Sequence, residues 1–184
     1  MLAGYNVRKA AQVVAFFALK EGGQINVLKL SKLLYLAERE FMARYDAPMF
    51  YDRLVSMDHG PVTSVSLNLI NGCLESDEWS KYVAGRSNYN VGLANAAQTI
   101  ESLDEFSRAD LIVLNDLWEK FGELKGYALR DYTHETCKEW ENPHGSSTPI
   151  PHERVFKFLN KKDGDALSNE IEKHRIVCGL FEQA

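Results

Sequence analysis

The chain has 184 residues, of which 45% are hydrophobic and 26% are charged, and its formal net charge is -5. This length and composition predict one globular domain with a sizeable buried core. The acidic balance disfavours nucleic-acid binding, which depends on many Lys and Arg side chains, and no apolar run approaches the ~18 residues that a membrane span needs.

The cysteines also indicate the compartment. Cys73, Cys137 and Cys178 are an odd number without metal-binding spacing, so we interpret them as reduced thiols. The N-terminal sequence lacks the basic region and apolar core of a secretory signal. We therefore expect a cytoplasmic protein with no membrane partner.

The first predicted helix runs from about Asn6 to Lys20, with Asn6 as its cap and Gly22-Gly23 as its end. A second helix follows directly, which raises the alternative of a DNA-binding helix-turn-helix. A recognition helix presents polar and basic side chains to the major groove, whereas this second helix is mostly apolar. We therefore expect no nucleic-acid binding by this unit.

The second helix is the central element of the predicted fold. It begins after Asn26 and ends near Tyr45, ahead of Pro48. Its polar side chains lie mainly on one stripe, through Lys29, Lys32 and Arg39. The apolar residues that cover the rest of its circumference are Val27, Leu28, Leu30, Leu33, Leu34, Leu36, Ala37 and Phe41. A helix that is apolar nearly all round is buried.

The region after the central helix changes its pattern. Residues 49–58 have no helical stripe and predict one short strand. Gly60 then favours a sharp turn, and Pro61 fits the first position of a new helix that ends near Asn71.

The rest of the chain predicts a weak hairpin and four further helices. The hairpin pairs residues 79–83 with 89–93, and the helices cover about 107–122, 127–138, 151–159 and 166–181. Ser107 and Asp110 approximate a capping box at the start of one of them. The predicted fold is mainly α: a compact helical domain around a buried central helix, with a short strand or small β-hairpin.

Five short sequence motifs, in this order and with this spacing, form a pattern that is much more specific than any one of them alone. They are Leu30-Ser31-Lys32-Leu33-Leu34-Tyr35-Leu36-Ala37, Ala47-Pro48-Met49-Phe50, Gly60-Pro61-Val62, Leu129-Arg130-Asp131-Tyr132-Thr133-His134-Glu135 and Trp140. Together they resemble the Panacea domain family of antitoxins, which includes SocA-like and phage-associated GepA-like proteins. The resemblance covers roughly residues 7–159. It departs from the family pattern at His59, where an aromatic residue is usual, and in the Gly-, Ser- and Pro-rich loop between Trp140 and Ile150.

The resemblance implies a domain over residues 1–160. The C-terminal helix, assigned to residues 161–184, lies largely outside the resemblance, and we expect it to pack on the domain or on a partner. The resemblance also implies structural roles for the motif residues Leu34, Tyr35, Gly60, Pro61, Val62, Thr133, His134 and Trp140. We expect the Tyr35 hydroxyl to be buried and bonded to a partner, because buried tyrosines usually bond through their hydroxyl.

The function that the resemblance implies is that of an antitoxin. Such a protein binds a cognate protein toxin encoded beside it and neutralises the toxin by direct contact, without enzyme activity and without a cofactor. The identity of the toxin and the oligomeric state stay open. Partner contacts are expected among exposed residues around the Gly-Pro-Val turn and the loop after Trp140, namely Asp58, His59, Thr63, His144 and Arg154.

Three alternatives stay open beside this function. One is an adaptor that delivers the toxin to an energy-dependent AAA+ protease, and another is a DNA-binding regulator. The third is a metal-dependent hydrolase, because His134 and Cys137 share a helix face. Zinc needs three or four protein ligands, and the sequence has no Cys-x-x-Cys or His-Glu-x-x-His. We therefore expect no metal and a structural His134 that hydrogen-bonds across the core or caps a helix. We expect the carboxylates of Glu135, Glu139 and Glu141 to be solvated.

Overall fold

The computed structural model describes residues 2–181. Helices pack around the predicted central helix, and the strands form only small antiparallel sheets. The helices are α1 (Val7–Lys20), α2 (Val27–Tyr45), α3 (Ser64–Ile70), α4 (Asp77–Ser80), α5 (Arg108–Phe121), α6 (Gly126–Thr136), α7 (His152–Phe158) and α8 (Gly164–Phe181). The strands are β1 (Gln24–Asn26), β2 (Leu54–Met57), β3 (Gly60–Thr63), β4 (Asn90–Gly92) and β5 (Thr148–Pro149). The mainly α fold class is confirmed.

Helix α2 lies at the centre, as predicted. The Asn26 side-chain oxygen accepts the backbone N–H groups of Leu28 and Lys29 at 3.0 and 3.2 Å, which caps the first turn. The helix packs against α5, α6 and β3. Its polar stripe is buried as well, because Lys29 is 4% exposed and Lys32 is fully enclosed. The fold must therefore supply a partner for each polar group of this helix.

The Gly-Pro-Val segment is a strand, so the prediction that Pro61 starts a helix is wrong. Strand β3 pairs antiparallel with β2 and occupies the edge of a three-stranded sheet of order β3-β2-β5. Pro61 lies opposite Ser56. The Ser64 N–H donates to the Arg53 carbonyl at 2.8 Å. Because bonded pairs alternate along an antiparallel ladder, this bond leaves Pro61 facing away from β2. Proline is tolerated at such an edge position, where no ladder bond requires its N–H.

The weak hairpin between residues 79 and 93 is only partly present. Trp79 lies in α4, and Val83 forms a single bridge to Leu93. Strand β4 instead pairs with β1, where Ile25 lies opposite Val91. Strand β5, which the sequence did not predict, pairs with the outer side of β2.

The last helix packs on the rest of the fold mainly through the stretch that ends at Arg175. It contacts α7, buries Ile171 and places the Arg175 guanidinium 3.1 Å from the carbonyl oxygens of Tyr51 and Asp52. The Tyr51 ring stacks on His174 with centroids 4.1 Å apart. None of the helices within residues 2–181 combines the length and the apolar character that a bilayer crossing requires.

Candidate partner-binding surface

The motif residues from the two halves of the chain meet along one seam between α2, the β2–β3 hairpin and α6, which we call the motif seam. Gly60 is its tightest point. Its φ is +94°, and a Cβ there would lie 3.0 Å from both Thr133 Oγ1 and His134 Nε2. Glycine is therefore required at this position for its backbone conformation and for its lack of a side chain.

Stacking and one hydrogen bond hold the end of α6 against the hairpin. The rings of His134 and Trp140 stack with centroids 4.2 Å apart, and Trp140 Nε1 donates to the Met57 carbonyl at 2.9 Å. The expectation that His134 forms a hydrogen bond across the core or caps a helix is wrong: its Nε2 is buried, and no residue within 2–181 bonds it. Burial and the nearby Lys32 and Arg130 cations lower the pKa of His134.

A buried tyrosine, carboxylate and guanidinium connect α2 to the segment after α6. The Tyr35 hydroxyl donates to Glu139 Oε1 at 2.7 Å, which confirms that it has a buried partner. Arg39 Nε pairs with the same oxygen at 2.6 Å. Burial and the Glu139 charge raise the pKa of Tyr35 well above its usual value. Glu139 is fully buried, so the expectation that it is solvated is wrong.

Lys32 binds the outer edge of β3 from within the seam. Its Nζ donates to the Pro61 carbonyl at 2.9 Å, using the oxygen that faces away from β2. Burial lowers the pKa of Lys32 to about 7. Burial also raises the pKa of the neighbouring Cys137 thiol to about 12, which keeps it protonated and weakly nucleophilic.

Two further buried carboxylates order the segment that leads into the hairpin. Glu38 accepts the backbone N–H groups of Phe50 and Asp52 at 3.2 and 2.8 Å. Burial raises the pKa of Glu38 to about 7. Asp52 accepts the N–H groups of Val65 and Ser66, each at 2.8 Å, and so caps α3 from outside the helix. Sequence reasoning missed both carboxylates. The sequence feature that could have revealed them is an acidic residue beside a mostly apolar stretch, since Glu38 follows the apolar residues of α2 and Asp52 follows Met49, Phe50 and Tyr51.

The exposed side of the seam is the tip of the hairpin. Asp58 and His59 are exposed, and Asp58 Oδ1 accepts the Gly145 N–H at 2.9 Å. This bond ties the tip to the loop that carries the exposed His144. Beside the tip lies a groove of about 360 Å³, the hairpin groove, whose lining includes Leu28, Met57, Asp58, His59, Tyr89 and Gly145.

The other two residues expected to contact a partner lie elsewhere. Thr63 is 1% exposed, so the expectation that it is exposed is wrong. It occupies the cap position of α3, but Asp52 provides the capping bonds, and Thr63 Oγ1 has no partner within residues 2–181. Arg154 pairs with Glu141 and does not line the hairpin groove. Of the five predicted contact residues, the structure thus brings together Asp58, His59 and His144.

The histidines and cysteines do not converge on one centre in the part of the chain that the structure describes. Over residues 2–181, no three His, Cys, Asp or Glu side chains are arranged to hold a metal ion. His152 Nε2 is buried without a partner there, and burial lowers the pKa of His152 to about 4.

Comparison with known proteins identifies the family. A family model described as "Antitoxin SocA-like, Panacea domain" matches residues 30–141, which include most of α2, the hairpin, α6 and Trp140. The searches of curated proteins and of solved structures returned no match. The matched region covers more than half of the chain and contains every motif residue of the seam. The chain therefore belongs to the SocA-like Panacea antitoxin family.

Proposed function

We propose that this protein is an antitoxin that neutralises a cognate, genetically adjacent protein toxin by binding it directly. Membership of the SocA-like antitoxin family carries this proposal. We also propose that the protein acts by contact alone, without catalysis. The family name supports that view, and so does the protonated state of the buried Cys137 thiol.

We propose the tip of the hairpin as part of the toxin-binding surface. The motif residues beneath it are occupied with contacts inside the fold, so they are not free to bind a partner. Asp58, His59 and His144 are exposed beside a groove, and the bond from Asp58 to the Gly145 N–H limits the movement of the tip. A preordered tip loses less conformational freedom on binding than a mobile one.

We propose that residues 1–160 form the antitoxin domain and that residues 161–184 form a C-terminal helical addition to it. The family model ends at residue 141, so α7 and α8 lie beyond the matched region. The contacts of Arg175 and Ile171 support packing of α8 on the domain, which leaves its exposed far end free for a partner.

The test is co-expression of the protein with the product of the neighbouring reading frame. We expect growth arrest by the neighbour alone, relief of the arrest by this protein, and a complex that co-purifies. Asp58→Lys should weaken both relief and co-purification, whereas Glu119→Lys, the same charge change at an exposed position of α5, should leave both intact.

Two results would contradict the proposal in different ways. A harmless neighbour with no co-purifying complex would remove the antitoxin function. Relief that coincides with protease-dependent loss of the neighbour would instead identify the protein as a proteolysis adaptor.

A further inference from the structure

A second groove adjoins the hairpin groove at the N-terminal end of α2. It has a volume of about 850 Å³ and lies between the end of α1, the start of α2 and the turn from α5 to α6. Its lining includes Leu28, Lys29, Tyr89, Trp118, Lys125 and Tyr127, and we call it the aromatic groove. Asn26, Leu28 and Tyr89 line both grooves, so the two grooves adjoin, and we call the pair the trough.

The polar groups in the floor of the aromatic groove are already satisfied. Lys29 is only 4% exposed, and its Nζ donates to the Gly122 carbonyl at 2.6 Å and pairs with Glu21. The same ammonium lies 4.9 Å from the centre of the Trp118 ring. A small polar ligand would find no free partner at this ammonium, so recognition must come from the apolar walls and the rim.

Two tyrosines make the groove suitable for a protein partner. Tyr89 is 75% exposed and Tyr127 is 64% exposed. The Arg130 guanidinium lies 4.9 Å from the centre of the Tyr127 ring and restrains it. Exposed tyrosines bury a large apolar area when a partner binds, a restrained one such as Tyr127 does so at low entropic cost, and tyrosines are common among the residues that dominate protein interfaces.

The charge on the rim determines the kind of partner. Within residues 2–181, neither Lys20 nor Lys125 takes part in an ion pair, and both line the groove. Because Lys29 and Glu21 neutralise each other, Glu123 is the only remaining carboxylate among the described lining residues. The rim therefore carries a local positive excess on a chain whose net charge is -5.

We infer that the aromatic groove binds a peptide segment of a protein partner in which a large apolar side chain is flanked by acidic residues. The apolar side chain fills the space between Leu28, Trp118 and Tyr127, and the flanking carboxylates meet Lys20 and Lys125. Because the two grooves share Leu28 and Tyr89, a longer segment extends from the aromatic groove to the hairpin groove. This inference rests on the proposed function when the partner is the toxin, and it then names the chemistry of the toxin segment.

The test uses a phage-displayed library of random short peptides, selected on the immobilised full-length protein. We expect enriched peptides to carry an aromatic or long aliphatic residue next to Asp or Glu. A synthetic copy of an enriched peptide should bind Tyr127→Ala about 30-fold more weakly than it binds the wild type. Binding to Lys125→Glu should be weaker and less dependent on salt. Tyr45→Ala, which truncates another exposed tyrosine outside the groove, should bind like the wild type.

The inference is overturned if selection enriches no peptides, if the enriched peptides lack acidic residues, or if Tyr127→Ala binds them unchanged. The same variants also separate the inference from the proposed function. If the neighbouring product forms a complex that Tyr127→Ala and Lys125→Glu do not weaken, the inference fails and the antitoxin function stands. If the expected peptides bind while the neighbouring product is harmless and unbound, the antitoxin function fails and the groove remains a site for another acidic partner.

Discussion

The two longest helices, α2 and α8, are nearly equal in length and opposite in burial. Helix α2 has 19 residues and buries twelve of them, whereas α8 has 18 residues and buries only Ile171. The family model matches α2 from Leu30 onward, whereas α8 lies entirely beyond the matched region. Helix α2 therefore provides the framework of the fold, while α8 contributes mainly surface.

Helix α2 buries several polar side chains and α8 exposes several apolar ones, whereas polar side chains are usually exposed and apolar ones buried. In α2, the buried groups of Lys29, Lys32, Tyr35 and Glu38 each bond a partner elsewhere in the fold. In α8, four large apolar side chains near the end are more than half exposed: Ile176, Val177, Leu180 and Phe181. Satisfied polar groups inside a protein stabilise a unique structure, while exposed apolar clusters often mark binding surfaces.

The largest expected effect is a core truncation in α2. Leu34→Ala should destabilise the protein by about 2–5 kcal/mol, because Leu34 is fully buried and its loss leaves a cavity. Leu180→Ala, the same change on α8, should alter stability by no more than about 0.5 kcal/mol. Urea unfolding of both variants measures the difference, and equal effects would contradict the contrast between the two helices.

The second prediction concerns the loss of folding stability at acid pH that His152 causes. Burial lowers the folded-state pKa of His152 from 6.5 to about 4, so the folded state resists a proton that the unfolded chain accepts. The stability associated with neutral His152 is present above pH 6.5 and is lost as the pH falls towards 4. The loss is on the order of 3 kcal/mol.

Glu38 opposes this loss, so a variant must isolate the histidine. The raised pKa of Glu38, about 7 against 4.5, favours protonation in the folded state, and stability from this group rises as the pH falls from 7 to 4.5. His152→Leu should therefore lose less stability than the wild type between pH 6.5 and 4, whereas His144→Leu, in the exposed loop, should follow the wild type. Thermal unfolding across this pH range tests the prediction, and parallel curves for His152→Leu and the wild type would refute it.

A third change tests the motif seam at its tightest point. Gly60→Ala should destabilise by about 2 kcal/mol, from strain at φ +94° and from contact with Thr133 and His134. Gly145→Ala is the matched control, because Gly145 has φ +85° and a Cβ added there would meet no other atom within 4 Å. The difference between the two free energies of unfolding isolates the contact with α6, and equal values would mean that the contact contributes nothing.

The smallest expected effect is the loss of one buried hydrogen bond. Tyr35→Phe removes the hydroxyl that donates to Glu139 but leaves the Arg39 bond in place, so stability should fall by about 1 kcal/mol. Tyr127→Phe, at an exposed tyrosine, should change stability by about 0.5 kcal/mol at most. A Tyr35→Phe protein as stable as the wild type would show that the buried hydroxyl is not important to the seam.

Local patterns predicted the framework well. Asn26, Ser107 and the apolar positions of α2 carry their information within one or two helical turns, and the predicted helices formed there. Pro61 was misassigned because the first position of a helix and the edge of a sheet both tolerate a residue without an N–H. The choice between them depends on pairing with β2, which a local pattern does not contain.

Long-range partners could not be read from the sequence. Glu139 resembled a solvated helix charge, and its burial depends on Tyr35 and Arg39, which lie 104 and 100 residues earlier in the chain. The pairing of β1 with β4 is also long-range in the sequence. The exposure of Asp58 and His59 was predicted from their place beside the Gly-Pro-Val motif, whereas the aromatic groove depends on four helix ends that only the fold brings together.

The most direct test of the account is hydrogen–deuterium exchange on the complex of this protein with the product of the neighbouring frame. We expect added protection at residues 57–60 and 143–147, and along the trough at residues 86–89 and 122–127, with α2 equally protected in the free and bound states. Protection confined to the far end of α8, with unchanged exchange at the hairpin tip and the trough, would contradict the account.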